Sequence, residues 1–427
     1  MELQQSVFEN GLKVVTVRMP GRDSVSLGIW IRAGARHEPE SEAGISHVLE
    51  HMLFKGTRRR SARQIKEEIE GTGGVLNAFT AEETTCYFAK TLRSRYPKAM
   101  EVLADMVHTA TLPEDELKKE KAVILEEIRM VKDVPSDLVD DMIGELMWPG
   151  HPLGRPIAGT EVSVSALKRR HLVRYKQKTY HAGNIVVAAA GPVFHEDVVE
   201  LARQAFPGRG GKAVPPPRPY KGARSGPRLK IVEKATEQTH FVVGVHGFSR
   251  YHPDRYKLAL LSLILGGNMS SRLFEELREK RGLAYDIRSG TAFYKETGAV
   301  LISAGVESRK AVPALHQIFR ELSKLRNVSV GRLELRRAKD FFLGQLQLGL
   351  EDTLDTMLWI GEAAVYREQI PVPELIRREI ESVDERALRI TAQALFARER
   401  MHLAMIGPLT AAEKRKIRAL VEDDKGI

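Results

Sequence analysis

Ala43-Gly44-Ile45-Ser46-His47-Val48-Leu49-Glu50-His51-Met52-Leu53-Phe54 is the stretch around which the chain is organised. At about 100° per residue on a helix, His51 lies about 40° from His47 and Glu50 about 60° to the other side. The three polar groups therefore share one sector, and one metal ion can meet both imidazoles. Ile45, Val48, Leu49, Met52 and Leu53 fall on the opposite half. The pattern predicts a helix that buries one face in a core and turns its His/Glu face to a cleft.

Imidazole nitrogens are ligands that zinc prefers, and a catalytic zinc takes three protein ligands plus a water. Glu50 is then free to act as a base. Zinc lowers the pKa of water to about 7, and a neighbouring carboxylate can take the proton as hydroxide attacks a peptide carbonyl. The order His-x-x-Glu-His is that of the inverted zinc-peptidase motif. A solvated helix face is the alternative reading of the same residues.

A third ligand is sought in the helical run Leu117-Lys118-Lys119-Glu120-Lys121-Ala122-Val123-Ile124-Leu125-Glu126-Glu127-Ile128. Glu120 and Glu127 share a stripe with Val123, Ile124 and Val131, whereas Glu126 points about 100° away from Glu127. A carboxylate on an apolar stripe needs a partner, because burying it ionised and unpaired is costly. Glu127 is the expected ligand and Glu120 a supporting carboxylate that orients the site. For each, the competing reading is a surface salt bridge to a nearby Lys.

The rest of the chain frames this centre. With 427 residues, 43% of them hydrophobic, it is long enough for two or three domains with substantial cores. The net charge of +10 is dispersed, with short basic runs such as Arg58-Arg59-Arg60 and Lys168-Arg169-Arg170, and lacks the basic-aromatic interleaving of single-strand binders, so no nucleic-acid partner is expected. The single cysteine, Cys86, excludes an internal disulfide; its strand-like surroundings suggest core packing, and a reducing compartment fits. No run approaches the ~18 apolar residues of a membrane helix, and the start lacks signal-peptide features. The expectation is a cytoplasmic protein that is not membrane-bound.

Strands are expected at Leu12 to Val17 and Val25 to Ile31, and a hairpin-like pair at Val75 to Thr80 and Thr84 to Thr91, with Ser61 capping a helix through Glu70. Helical periodicity runs from Tyr96 to Met147 with breaks at Pro113 and Pro135, then near Ser165 to Lys178; a strand follows at Asn184 to Ala190 and a helix at His195 to Phe206. Composition then shifts to Gly208-Arg209-Gly210-Gly211-Lys212, Pro215-Pro216-Pro217 and Gly222 to Pro227, which reads as a linker. Beyond it the pattern restarts. Leu229-Lys230-Ile231-Val232 echoes Leu12-Lys13-Val14-Val15, His240 to Val245 echoes the strand at Val25, and Met401 to Pro408 echoes the strand ending Gly191-Pro192, all at offsets of about 216 residues. The same offset carries His47, Glu50 and His51 onto Leu263, Gly266 and Gly267, so the copy is chemically empty. The predicted fold is α+β: two similar domains, each a mixed β-sheet packed with α-helices, facing across a cleft. The expected domains are 1–207 with the zinc site, a linker at 208–227, and 228–427 as a duplicated cleft wall.

On these residues the chain resembles the pitrilysin family of inverted zinc peptidases, and within it the mitochondrial processing-peptidase catalytic subunits and their two-domain bacterial relatives, over nearly its whole length. The resemblance implies one Zn2+ per chain on His47, His51 and Glu127, with Glu50 catalytic and Glu120 in support. It implies that Asn77-Ala78-Phe79-Thr80 is the strand along which a peptide substrate is laid by main-chain pairing. Ser270 to Phe274 and Arg278 to Tyr285 are similar to the family segment that brings an Arg and a Tyr to the active site, which would let Tyr285 donate to the oxyanion and Arg278 hold the substrate. Apart from the resemblance, Arg278 reads as a helix-surface residue pairing with Glu275, and Tyr285 as a core aromatic. The short Gly266-Gly267-Asn268-Met269-Ser270, in place of a long glycine-rich loop, looks like a helix end plus an N-cap and favours the catalytic type. The implied function is cleavage of short or unfolded peptides by a homodimer or by a heterodimer with an inactive homologue. The competing function is a non-catalytic scaffold or assembly subunit of the same fold.

Overall fold

The first half forms β1 (Glu2–Val7), β2 (Lys13–Arg18), β3 (Ser24–Ile31), β4 (Val75–Thr80), β5 (Thr85–Leu92) and β6 (Ile185–Gly191), of which β1 is polar and mostly exposed. The second half forms β7 (Arg228–Glu233), β8 (Thr239–Gly247), β9 (Ala284–Phe293), β10 (Gly298–Val306) and β11 (Met401–Gly407). This computed structural model describes residues 2–207, 210–211, 214–222 and 228–422. Of the expected linker at 208–227, residues 208–209, 212–213 and 223–227 therefore lie outside the described residues.

The first sheet has the order β1-β2-β6-β3-β5-β4 and the second β7-β11-β8-β10-β9. Within the first, β2 and β6 run parallel and every other neighbouring pair is antiparallel. The second repeats this, with β7 and β11 parallel and the rest antiparallel. The duplication expected from the sequence echoes is thus present in strand order and direction, and both sheets are mixed.

Two units form around these sheets: Met1–Ile128, Arg155–Arg218 and Leu346–Pro371 in one, Arg129–Gly154, Pro219–Gln345 and Val372–Ile427 in the other. The contiguous domains expected at 1–207 and 228–427 are corrected by this division. Each half of the chain lends a helix to the sheet of the other half. The lent segments, 129–154 and 346–371, begin 217 residues apart and end 217 residues apart, so the exchange repeats with the duplication. Its physical cause is the burial demand of the central strands. β6 is buried along all its length, so apolar groups must cover both faces.

In the first unit one face of the sheet, with Leu27, Ile29 and Val187, packs beneath the helices Ile45–Leu53 and Tyr96–Thr109. The other face, with Val15, Val17, Trp30 and Val186, is covered by Met357, Ile360 and Ala364 of the lent helix Thr353–Tyr366. Gly28 permits this approach, since a Cβ there would collide with Met357 Sδ. In the second unit Val242, Ala299, Ala404 and Ile406 receive Val139, Met142, Ile143 and Met147 from the lent helix Pro135–Met147. Gly244 serves the same purpose, its missing Cβ leaving room for Met147 Sδ.

Most expected elements are present. Ser61 accepts from Gln64 N at 3.3 Å and caps Ala62–Glu70. The helical run divides into Tyr96–Thr109, Glu114–Asp133 and Pro135–Met147, so both prolines mark breaks. The single helix expected near 165–178 is two, Glu161–Ala166 and Arg169–Thr179, because Leu167 is extended and Thr160 caps a separate short helix. Ser270 is not a helix cap; its N–H and hydroxyl donate to Asn268 Oδ1 at 3.0 and 2.9 Å. Cys86 is fully buried. Among the described residues no helix is long and apolar enough to cross a membrane.

Candidate metal centre

The helix Ile45–Leu53 divides its faces as its sequence requires. Ile45, Val48, Leu49, Met52 and Leu53 are fully buried. On the other side the His47 and His51 rings lie 4.7 Å apart, centroid to centroid, at 68°. The helix Glu114–Asp133 buries Leu117, Ile124 and Ile128, and presents Glu127 to the two imidazoles. Glu127 Oε2 lies 3.9 Å from Nε2 of His47 and 3.9 Å from Nε2 of His51. One ligand atom from each of the three residues lies within 4.8 Å of the others, the only such group of His, Cys, Asp or Glu among the described residues.

These separations exceed hydrogen-bond length but suit a shared ion. Ligand atoms placed tetrahedrally at the ~2.1 Å typical of zinc lie about 3.4 Å from one another, and each 3.9 Å separation from Glu127 is within about half an ångström of that spacing. The proton positions fit as well. His51 Nδ1 is 3.0 Å from Glu120 Oε2, and Glu120 Oε1 pairs with Lys55 Nζ at 2.6 Å. A carboxylate there fixes the proton on Nδ1 and leaves the Nε2 lone pair facing Glu127. Burial pushes Glu120 up, but bonds from Lys55 and His51 outweigh it and hold the carboxyl below its usual range. Burial, together with the charge of His51, lowers His47 to about 4, which keeps it a neutral donor at physiological pH. Two imidazoles and a carboxylate form a donor set of the kind catalytic zinc takes.

Glu50 stands apart from the ligand group. Its Oε2 accepts from Thr80 Oγ1 at 2.5 Å, which ties the last residue of β4 to the helix. Burial raises its pKa, opposed by the Thr80 bond and by His51. A cavity of about 330 Å³ opens beside it, lined by Glu50, His51, Glu120, Phe54, Leu76 and Lys66 among others. The edge strand β4 pairs only with β5 among the described residues, which leaves its second edge open to another strand. Asn77 is exposed, and Ala78 is half-buried. Phe79 is committed to packing, with its ring edge-on to Trp30 at 5.5 Å.

Arg278 and Tyr285 belong to the second unit. Tyr285 is 77% exposed, which overturns the reading of it as a core aromatic. The Arg278 guanidinium lies over the Tyr285 ring at 5.1 Å and the Phe274 ring at 4.7 Å, and its ionic neighbour is Glu279 at 3.9 Å, not Glu275. It sits on a wide turn of π-helix, Phe274–Glu279. The structure thus brings His47, His51, Glu127, Glu50 and Glu120 together in one unit, and Arg278 with Tyr285 in the other.

Sequence reasoning missed Lys55 and the bond from Thr80 to Glu50. Lys55 lies two residues past the end of the helix Ile45–Leu53, so helical spacing alone does not place it beside His51 and Glu120. The Thr80–Glu50 contact spans 30 residues and leaves no local trace.

Residues 13–161 match the family described as insulinase (peptidase family M16), and residues 166–342 the family described as the peptidase M16 inactive domain. A Streptomyces coelicolor protein named an uncharacterized zinc protease is 37% identical over 414 residues, covering 95% of this chain and 90% of that protein. A Bacillus subtilis protein of the same description is 35% identical over 408 residues, covering 95% and 98%. Among solved structures, a protease from Helicobacter pylori superposes with a TM-score of 0.91 at 24% identity over 95% of this chain and 99% of that one. At that identity the likeness concerns the fold.

Proposed function

The chain belongs to the insulinase family, peptidase family M16, and from that premise we propose that it is a zinc-dependent endopeptidase acting on short or unfolded peptides. The observation that carries the reading is the convergence of His47, His51 and Glu127 on one point with Glu50 beside them and outside the ligand set. The zinc-protease names of relatives that cover most of both chains support it.

His47 Nε2, His51 Nε2 and Glu127 Oε2 would hold one zinc ion, with Glu120 orienting His51. Zinc, when bound, supplies Lewis acidity that makes water a nucleophile near neutral pH and polarises a carbonyl. Glu50 takes the proton of the attacking water on a carboxylate oxygen and returns it to the leaving amine. Thr80 holds that carboxylate in place through Oε2. The open edge of β4 pairs with the peptide backbone around Asn77, Ala78 and Phe79, so the substrate is held extended and with little regard to its side chains. Tyr285 and Arg278 are assigned to the oxyanion and to the substrate backbone. Their exposure and mutual stacking leave a hydroxyl and a guanidinium available for those roles. The active assembly is proposed to be a dimer, either of this chain or with an inactive homologue.

The test is hydrolysis of a mixed peptide library by wild type and Glu50→Gln, with bound zinc measured in both. Cleavage by wild type, lost in the variant while zinc stays, supports the reading. Zinc in wild type with no cleavage, alone or with added homologues, would move the chain to the scaffold reading.

A further inference from the structure

The helix that carries His47 and His51 begins without a cap of its own. Its N-cap is Gly44, at φ 90°, which has no side chain to offer. That glycine is imposed from below, because a Cβ would meet Ala158 O at 2.5 Å where the chain passes under the helix. The exposed N–H groups are met instead by a carboxylate from an earlier loop. Glu38 Oε2 accepts from Gly44 N at 2.7 Å and Oε1 from Ser46 N at 2.8 Å. Glu38 is 5% exposed, and Arg155, on the passing segment, donates Nη2 to its backbone oxygen at 3.2 Å. Ser46 Oγ in turn bonds Tyr175 OH at 2.8 Å.

This cap lies close in sequence to the chemistry. His47 is the third residue of the helix, inside the turn where unpaired N–H groups carry partial positive charge. A dication held by a first-turn histidine is disfavoured by that charge. A buried anion that bonds two of those N–H groups both fixes the turn and offsets its field.

We propose that Glu38 is a positioning residue of the metal centre, its carboxylate setting the first turn that carries His47 and compensating the positive helix end where the ion binds. The inference rests on the reading of His47, His51 and Glu127 as zinc ligands. Burial pushes the Glu38 carboxyl up to about 7, against the bonds from Ser46 and Gly44 and the charge of Arg155. Its role is therefore examined at pH 8, where it is ionised.

The test compares wild type, Glu38→Gln and Glu38→Asp as apo proteins by three readouts: zinc affinity by chelator competition, the visible spectrum of the cobalt(II) form, and thermal unfolding without metal. Glu38→Gln removes the charge and turns an amide donor toward an N–H, so zinc affinity should fall about tenfold or more, in the range seen for groups that orient ligands. The cobalt bands should shift. Glu38→Asp keeps the charge and should recover part of both, and it carries the test should the Gln variant not fold. A lower unfolding temperature in the variants with wild-type zinc affinity and an unchanged cobalt spectrum would overturn the inference, leaving Glu38 a structural cap. Wild type that takes up neither zinc nor cobalt would instead defeat the zinc reading on which the inference stands.

Discussion

The two units share five strands in the same order and the same directions, yet among the described residues one carries a cluster of metal-ligand type and the other does not. After β3 comes the helix with His47, Glu50 and His51; after β8 comes Arg255–Gly266, where Leu263 and Gly266 lie. Gly266 is pressed onto β9, where a Cβ would stand 2.8 Å from Ser289 N, so no ligand side chain can be placed there without moving a strand. What the difference teaches is that architecture and chemistry rest on separate residues. The sheet needs buried apolar faces at fixed registers, whereas the site needs a few polar side chains on one helix and one carboxylate from another.

The comparison is broken most forcefully at Glu50. Glu50→Gln should lower peptide hydrolysis by about 10³-fold while zinc content is unchanged, as measured with a fluorogenic peptide and by metal analysis. Retained activity would mean that the base lies elsewhere. The next largest effect concerns the lent helices, which the units should need equally. Ile360→Ala and Ile143→Ala should each destabilise by about 2–5 kcal/mol in denaturant unfolding. A small loss at one and a large loss at the other would show that the exchange is structural in only one unit.

Glu120→Gln should weaken zinc binding about 10- to 100-fold, with little change in unfolding of the apo protein. A further effect is one of pH. Glu38, raised from 4.5 to about 7, binds a proton in the folded state that the unfolded chain releases at lower pH. Its share of stability is therefore present at acid pH and lost as pH rises from about 4.5 to 7, by linkage. Glu38→Gln should flatten that slope in unfolding curves recorded across the window; an unchanged slope would assign it to other groups.

Much of this was legible in the residues. The apolar half of the 45–53 helix and the echo of the strands at a near-constant offset are local or periodic signals that led to their place in the structure; the stripe read through Glu120, Val123, Ile124, Glu127 and Val131 is only partly buried, with Glu120 and Ile124 inside and Val123 45% exposed. The helix exchange was not legible. Amphipathic spacing says which face of Pro135–Met147 or Thr353–Tyr366 is buried, but not which sheet buries it. The same holds for Thr80, whose partner Glu50 lies 30 residues away. Apart from the resemblance Tyr285 reads as a core aromatic, but it lies near the start of an edge strand and is exposed.

The central claim is that one unit binds zinc through His47, His51 and Glu127 and its duplicate binds none. The most direct measurement is the zinc content of purified, metal-loaded wild type against His51→Ala after dialysis. The account predicts about one zinc per chain in wild type and none in the variant, with the variant still folded by circular dichroism. Zinc retained in folded His51→Ala, or absent from wild type, would contradict it.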